Sequence, residues 1–434
     1  MNTLFRRLLL ISVSGLITLN VSANDLWTVY QGAKTYDPQL RIAQANRAAR
    51  GETRPQALAA LRPSITLSGQ LGYQQQRTSL ASSDNYANNS LALNLKQPLY
   101  RRAAWLALAQ VDKQLAQTDM DYQAAEQAVM VRTAQAYFGV LAAQDELSFA
   151  QREKTAIVRQ LDQAQQRFEV GLVAITDVHE AQARFDQASA NQLSAENALD
   201  NRWEALREIT RQQPTKLAGL TPQINLAMPE PASLQAWSER AQQQNLAIQS
   251  AELATAIAQD NIAIQQSERY PTVDLSATLS RTDSQATTGM TINTNQIGLQ
   301  MHIPLYLGGG LNSRIQQARY QHQATMEQLS QQQRAVDRQV RNAYRGIQTS
   351  IGRVSALAAT QTSAQSALDA TQAGFEAGTR TLVDVLNSQR DLYRTKRDYA
   401  QSRYNYVLNT LLLLQATGTL AESDLQGVNA WLAN

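Results

Sequence analysis

Two stretches of the chain, "RFEVGLVAITDVHE" at 167–180 and "GFEAGTRTLVDVLN" at 374–387, share a Phe, a Glu, a helix-breaking Gly, an Asp and a Val, and lie 207 positions apart. The same spacing returns elsewhere. Tyr137 and Tyr344 are 207 apart, the "PLY" triplets beginning at Pro98 and Pro304 are 206 apart, and Pro63 and Pro271 are 208 apart. Four landmarks in one order identify an internal duplication, so any fold for this chain must be built twice. The expected units are 24–226 and 227–420, followed by a short C-terminal segment at 421–434.

Each half contains a pair of segments with strict alternation. Ile65, Leu67, Leu71 and Tyr73 alternate with Ser64, Thr66, Ser68 and Gln70, and Leu91, Leu93 and Leu95 with Ala92, Asn94 and Lys96. In the second half Val273, Leu275 and Leu279 alternate with Asp274, Ser276 and Thr278, and Ile297, Leu299 and Met301 with Gln296, Gly298 and Gln300. These are predicted strands with one apolar and one polar face. At about 10 residues each they match a tilted strand crossing an outer membrane. The stretches between them, "RTSLASSDNYANN" and "RTDSQATTGMTINTN", read as polar external loops. Four strands cannot close in lipid, where an open edge leaves backbone groups unpaired and the smallest barrels have about eight strands. Several copies must therefore share one barrel, and two or three copies both satisfy the strand count.

The segments between the strand pairs and the glycine breaks read as very long helices. Ala104 to Gln165 contains no Pro and a single Gly, Gly139, and a heptad seam runs through Leu108, Leu115, Tyr122, Val129, Ala136, Ala143, Ala150, Ile157 and Ala164. Such a rod is roughly 90 Å long. The second half repeats it from Asn312 to Ala373. "LYRRA" at 99–103 and "LYLGGGL" at 305–311 join strand to helix directly, with Pro98 and Pro304 ending ladder donation and Gly308 to Gly310 permitting a swivel. After the breaks, Asp177 with Glu180 and Thr381 with Asp384 have the spacing of capping boxes.

At the N-terminus Arg6 and Arg7 precede the apolar run Leu8 to Leu19 and then "VSA" before Asn24, which predicts a signal peptide at 1–23. The run of about 12 residues is too short for a spanning helix. The full sequence has 39 basic and 36 acidic residues, and removing Arg6 and Arg7 leaves a near-neutral chain that advertises no nucleic-acid partner. Cysteine is absent, which excludes disulfides, thiolate metal sites and lipidation of an N-terminal Cys. His179, His302 and His322 have no ligand partner at metal spacing, and Gly308 to Gly310 lack the Lys and Ser or Thr of a phosphate loop. No catalytic residue, metal or cofactor is expected. A periplasmic coiled-coil tether or an adaptor is the competing class, and neither needs two pairs of membrane-length strands.

The stretches "AYFGVLAAQDELSFAQ", "RQLDQAQQRFEVGLVAITDV", "PLYLGGGLNSRIQQAR", "GTRTLVDVL" and "RYNYVLNTLLLLQATGTL" resemble the outer-membrane efflux protein (outer membrane factor) family over essentially the whole mature length. The resemblance implies a homotrimer whose 12-stranded transmembrane β-barrel, four strands per chain, continues into a long periplasmic all-α tunnel. It also implies an outer-membrane location in a Gram-negative bacterium and a passive exit duct for tripartite drug efflux and type I protein secretion. The implied partners are outer-membrane lipid, a periplasmic adaptor (membrane fusion) protein, and an inner-membrane pump or ABC exporter.

By the same resemblance the positions of Thr176, Asp177, Phe375 and Arg380 form the periplasmic entrance gate. Phe375 stands where the family's gate has a Tyr, so a hydroxyl bond is lost and closure falls more heavily on an Arg380–Asp177 contact. Asp384 and Asn387 fall on the two acidic rings of the family's pore, and Asn387 removes the second charge. Val170, Gly171 and Leu172, with Ala377, Gly378 and Thr379, match the tips offered to adaptors. The longer polar tail of some relatives has no counterpart after "TLAESDLQGVNAWLAN", and little functional consequence is expected.

Overall fold

The computed structural model of the chain describes residues 24–78, 81–211, 214–284 and 289–433. The expected signal peptide at 1–23 lies outside the described residues. Among those described, three helices come first: α1 (Leu26–Tyr36), α2 (Pro38–Gly51) and α3 (Thr53–Ala59). Strands β1 (Ser64–Thr78) and β2 (Ala81–Tyr100) lead into α4 (Arg102–Glu169) and, past the first glycine break, α5 (Ile175–Thr210). The order then recurs with α6 (Leu234–Gln244), α7 (Leu246–Ser267), β3 (Thr272–Ser284), β4 (Met290–His302), α8 (Gly310–Glu376) and α9 (Leu382–Ala416), and α10 (Glu422–Asn429) ends it.

The helix starts follow from capping chemistry. Asp25 accepts a bond from the Thr28 N–H to open α1. Asp37 stops α1 and opens α2 by accepting from the Leu40 N–H, with Pro38 at the first helical position, where a missing N–H costs nothing. Asn245 does the same job between α6 and α7, accepting from the N–H groups of Ala247 and Ile248. Asp37 is nearly fully buried, and the Arg132 guanidinium 2.7 Å away on α4 keeps its charge paired.

The four strands form one antiparallel sheet in the order β1-β2-β3-β4. Leu67, Leu93 and Leu279 lie side by side on three successive strands, as do Ile65, Leu95, Ala277 and Ile297 on all four. This face is exposed in the chain, with Leu67 at 68%, Leu93 at 40% and Ile297 at 74%. The opposite face carries a polar ladder, in which Asn94 receives a bond from the Thr278 hydroxyl at 3.1 Å. The strands are longer than the sequence suggests, at 15, 20, 13 and 13 residues. Much of what read as external loop is strand, because the backbones of polar residues such as Gln and Asn pair in a ladder as well as those of any residue.

In the first repeat strand passes to helix with a single residue between. β2 ends at Tyr100 and α4 starts at Arg102, and the intervening Arg101 grips Asp274 of β3 with Nε and a terminal nitrogen at 3.0 and 2.8 Å. Lys96 adds a second cation to the same carboxylate at 3.2 Å. Pro98 sits inside β2 beside a register shift. On the other side Gly308 and Gly309 take φ of 61° and 82° before α8 begins, a left-handed swivel that L side chains resist.

At 68 and 67 residues, α4 and α8 are rods of about 100 Å. Their apolar core is local. Val129, Tyr137 and Phe138 of α4 meet Ile347 of α8, Leu411 of α9 and Trp237 of α6 midway along the rods. There Tyr137 donates its hydroxyl to the Ala218 carbonyl at 2.7 Å. Of the heptad seam, Val129, Ala150, Ile157 and Ala164 are buried and the rest half-buried. No described helix is long and apolar enough to cross a membrane.

Candidate functional site

The far end of the rods, where α4 turns into α5 and α8 into α9, carries every residue predicted to act. In the first turn the Leu172 N–H donates to the Arg167 carbonyl at 2.8 Å and the Gly171 N–H to that of Phe168 at 2.9 Å. In the second the Thr379 N–H donates to the Gly374 carbonyl at 2.8 Å and the Gly378 N–H to that of Phe375 at 3.1 Å. Gly171 and Gly378 take φ of 73° and 76°. One glycine-terminated turn is thus made twice, satisfying the last carbonyls of each long helix. Val170, Gly171, Leu172, Ala377, Gly378 and Thr379 are all exposed at the tips.

The two restarts differ. At α9, Thr381 is the N-cap and forms a reciprocal box with Asp384: the Asp384 N–H donates to the Thr381 hydroxyl at 3.2 Å and the Thr381 N–H to the Asp384 carboxylate at 3.0 Å. At α5 the N-cap is Ala174, with no side chain able to accept. The expected Asp177–Glu180 box is not formed. Asp177 already lies in the first helical turn, its N–H donating to the Ala174 carbonyl, and only the residue outside the helix can cap. Glu180 instead pairs with Arg184 at 3.2 Å.

Thr176 is exposed and Asp177 half-buried on that first turn of α5. Phe375 is only 7% exposed, packed among Leu161, Ala164, Leu382, Val385 and Leu386. The Arg167 guanidinium covers its ring, 4.5 Å from the centroid. Arg380 is exposed and folds over Gly374, where an added Cβ would lie 2.8 Å from its Cγ. Within the chain its charge acts on Asp384. That carboxylate is held below its ordinary pKa by the Thr381 backbone and hydroxyl bonds, with Arg380 adding attraction. Asn387 is half-buried one turn further along α9.

Along the rods from the paired turns a groove of about 610 Å³ between α4, α5 and α9 carries Glu146, Glu153, Arg184, Arg390, Arg394 and Arg397. Burial raises the Glu153 carboxyl above its ordinary pKa. Charges of both signs interleave there, with Arg397 3.6 Å from Glu146, and the groove assembles no nucleophile with a base. Arg167 and Gly374 escaped the sequence reading. Their signal was present: aligning the two break motifs sets Arg167 opposite Gly374, the one place where the copies exchange a long cation for no side chain.

The profile of the family described as "Outer membrane efflux protein" matches residues 29–210 and 237–419. The chain is 41% identical over 423 residues to the outer membrane protein TolC of Vibrio cholerae, covering 96% of each. The chain belongs to the outer membrane efflux protein family. A second relative, TolC of Escherichia coli, is 37% identical over 431 residues, covering 96% of this chain and 87% of the relative. The alkaline protease secretion protein AprF of Pseudomonas aeruginosa is 28% identical, covering 92% and 86%. In fold the chain matches the CmeC outer membrane channel of Campylobacter jejuni with a TM-score of 0.80 at 14% identity, covering 94% and 89%. The protein is accordingly an outer-membrane protein of an efflux-channel family, which is a family of transport proteins and not of enzymes.

Proposed function

We propose that three copies of this chain close a 12-stranded barrel and a helical tunnel, forming a passive exit duct that a periplasmic adaptor and an inner-membrane pump or ABC exporter open at the paired turns. The observation that carries this reading is the one-residue junction at Arg101, which makes the first membrane strand pair continuous with a rod of about 100 Å, while residues 303–309 connect β4 to the matching rod α8. β1 and β4 each pair on one side only within the chain, which supports closure by neighbouring copies. The names of the relatives, a secretion protein for alkaline protease among them, support export as the task. Cargo is chosen upstream, because a passive wall contributes no chemistry of its own.

In this reading the exposed tips receive the adaptor, Thr176, Asp177, Phe375 and Arg380 close the mouth, and Asp384 filters charge beside an uncharged Asn387. Reconstitution in planar bilayers tests it: small cation-selective steps are expected, and a tether would give no current. Arg380→Ser is expected to raise single-channel conductance by opening the mouth, and a conductance equal to wild type sinks the assignment of Arg380. Asp384→Asn should weaken cation preference, measured as a shift in reversal potential under a salt gradient. The pH sign follows from the depressed pKa. The Asp384 charge is complete above the ordinary carboxylate value and is lost only as pH falls through the lower folded value. Within one chain the Thr381 bonds therefore keep Asp384 charged at about pH 5 as at about pH 7, and a cation preference that falls between those values would show the like-charged copies of Asp384 raising one another's pKa.

A further inference from the structure

We infer that Arg167 is a gate residue: stacked on the buried face of Phe375, it clasps the α8/α9 turn against α4 and holds the mouth shut. The inference rests on the reading of the paired turns as a mouth that opens. The two residues belong to different hairpins, so their contact is broken if the hairpins swing apart. Both are anchored by turn geometry, since the Arg167 carbonyl accepts the Leu172 N–H in the first turn and the Phe375 carbonyl accepts the Gly378 N–H in the second. A flat guanidinium 4.5 Å from a ring centroid is in range for a cation–π contact, and the ring is largely desolvated.

The duplication shows how one-sided the device is. At the repeat spacing Phe168 matches Phe375 and Arg167 matches Gly374. Phe168 is 41% exposed at the first tip, whereas Phe375 is 7% exposed beneath a cation supplied by the other repeat. The missing side chain at 374 leaves room for Arg380 to fold back over the second turn. The aromatic here has no hydroxyl to bond, and the face of the ring is what remains for a polar partner to hold.

The test is the time-averaged conductance per channel of the full-length trimer in planar bilayers, with trimer content checked by cross-linking. Arg167→Gln and Phe375→Leu are each expected to raise the mean conductance per channel roughly two- to five-fold, the range a single cation–π contact supports. The double variant should go no further than either alone, because both remove one contact. Arg380→Ser serves as the reference. If it raises conductance and Arg167→Gln does not, the clasp is overturned while the mouth stands; if neither changes it, the mouth reading itself fails. Should Arg167→Gln not assemble, Arg167→Lys makes the same comparison, keeping the charge and losing the flat guanidinium.

Discussion

Leu93→Arg is expected to abolish most accumulation of the protein in the outer membrane. Leu93 sits on β2 between Leu67 and Leu279, on the exposed apolar face of the sheet, and the strands on either side leave its side chain no route to the polar ladder behind. An Arg facing lipid near the bilayer midplane costs about 2–4 kcal/mol, and each chain of an oligomeric barrel bears that cost. The control is Ser68→Arg on the opposite, polar face, where a long cation can stay hydrated. Membrane fractionation and the denaturant midpoint of the purified trimer read both. Equal behaviour of the two variants would mean that the apolar face does not meet lipid.

Gly418→Ala is expected to destabilise the protein by about 2–5 kcal/mol, combining left-handed backbone strain with overpacking. Gly418 has φ of 76°, and a Cβ there would run into the Gln244 carbonyl group, with its carbon 2.9 Å away and Asn245 Cα at 3.0 Å. This is where the end of α9 is held. Gln127 donates to the Gly418 and Leu420 carbonyls at 2.8 and 3.1 Å, and Asn245 donates to the Ala416 carbonyl at 2.8 Å. Nothing flexible lies in the path of the new methyl group, so main chain must move. Gly171→Ala is the comparison: its φ of 73° is similar, and its Cβ would point into open space. It should cost only about 1–2 kcal/mol, the strain alone. Thermal unfolding of the two trimers separates strain from collision.

Most of the architecture was legible in the sequence because it depends on local periodicity. Period-two alternation at Ile65 to Tyr73 and Leu91 to Leu95 needs no knowledge of partners to specify a two-faced strand. The heptad run from Leu108 and the glycines at 171 and 378 likewise specify rod and turn within a few residues. Strand length was less legible, since polar residues such as Asn88 and Asn89 pair with Ser284 and Asp283 without leaving an apolar signal.

At the paired turns the balance shifts. The Thr381–Asp384 box is a contact over three residues, and its letters were enough. The matching letters Asp177 and Glu180 misled, because whether a residue caps depends on where the backbone leaves the preceding turn, and that placed Ala174 outside the helix. By itself the sequence determined two copies of a strand pair, rod and glycine-ended hairpin, together with a family membership that spans nearly the whole chain. Only the tertiary structure decided which of two equivalent phenylalanines is buried, which arginine covers it and where Arg380 rests. Those outcomes depend on packing between hairpins about 207 residues apart, and no local pattern records how two distant turns meet.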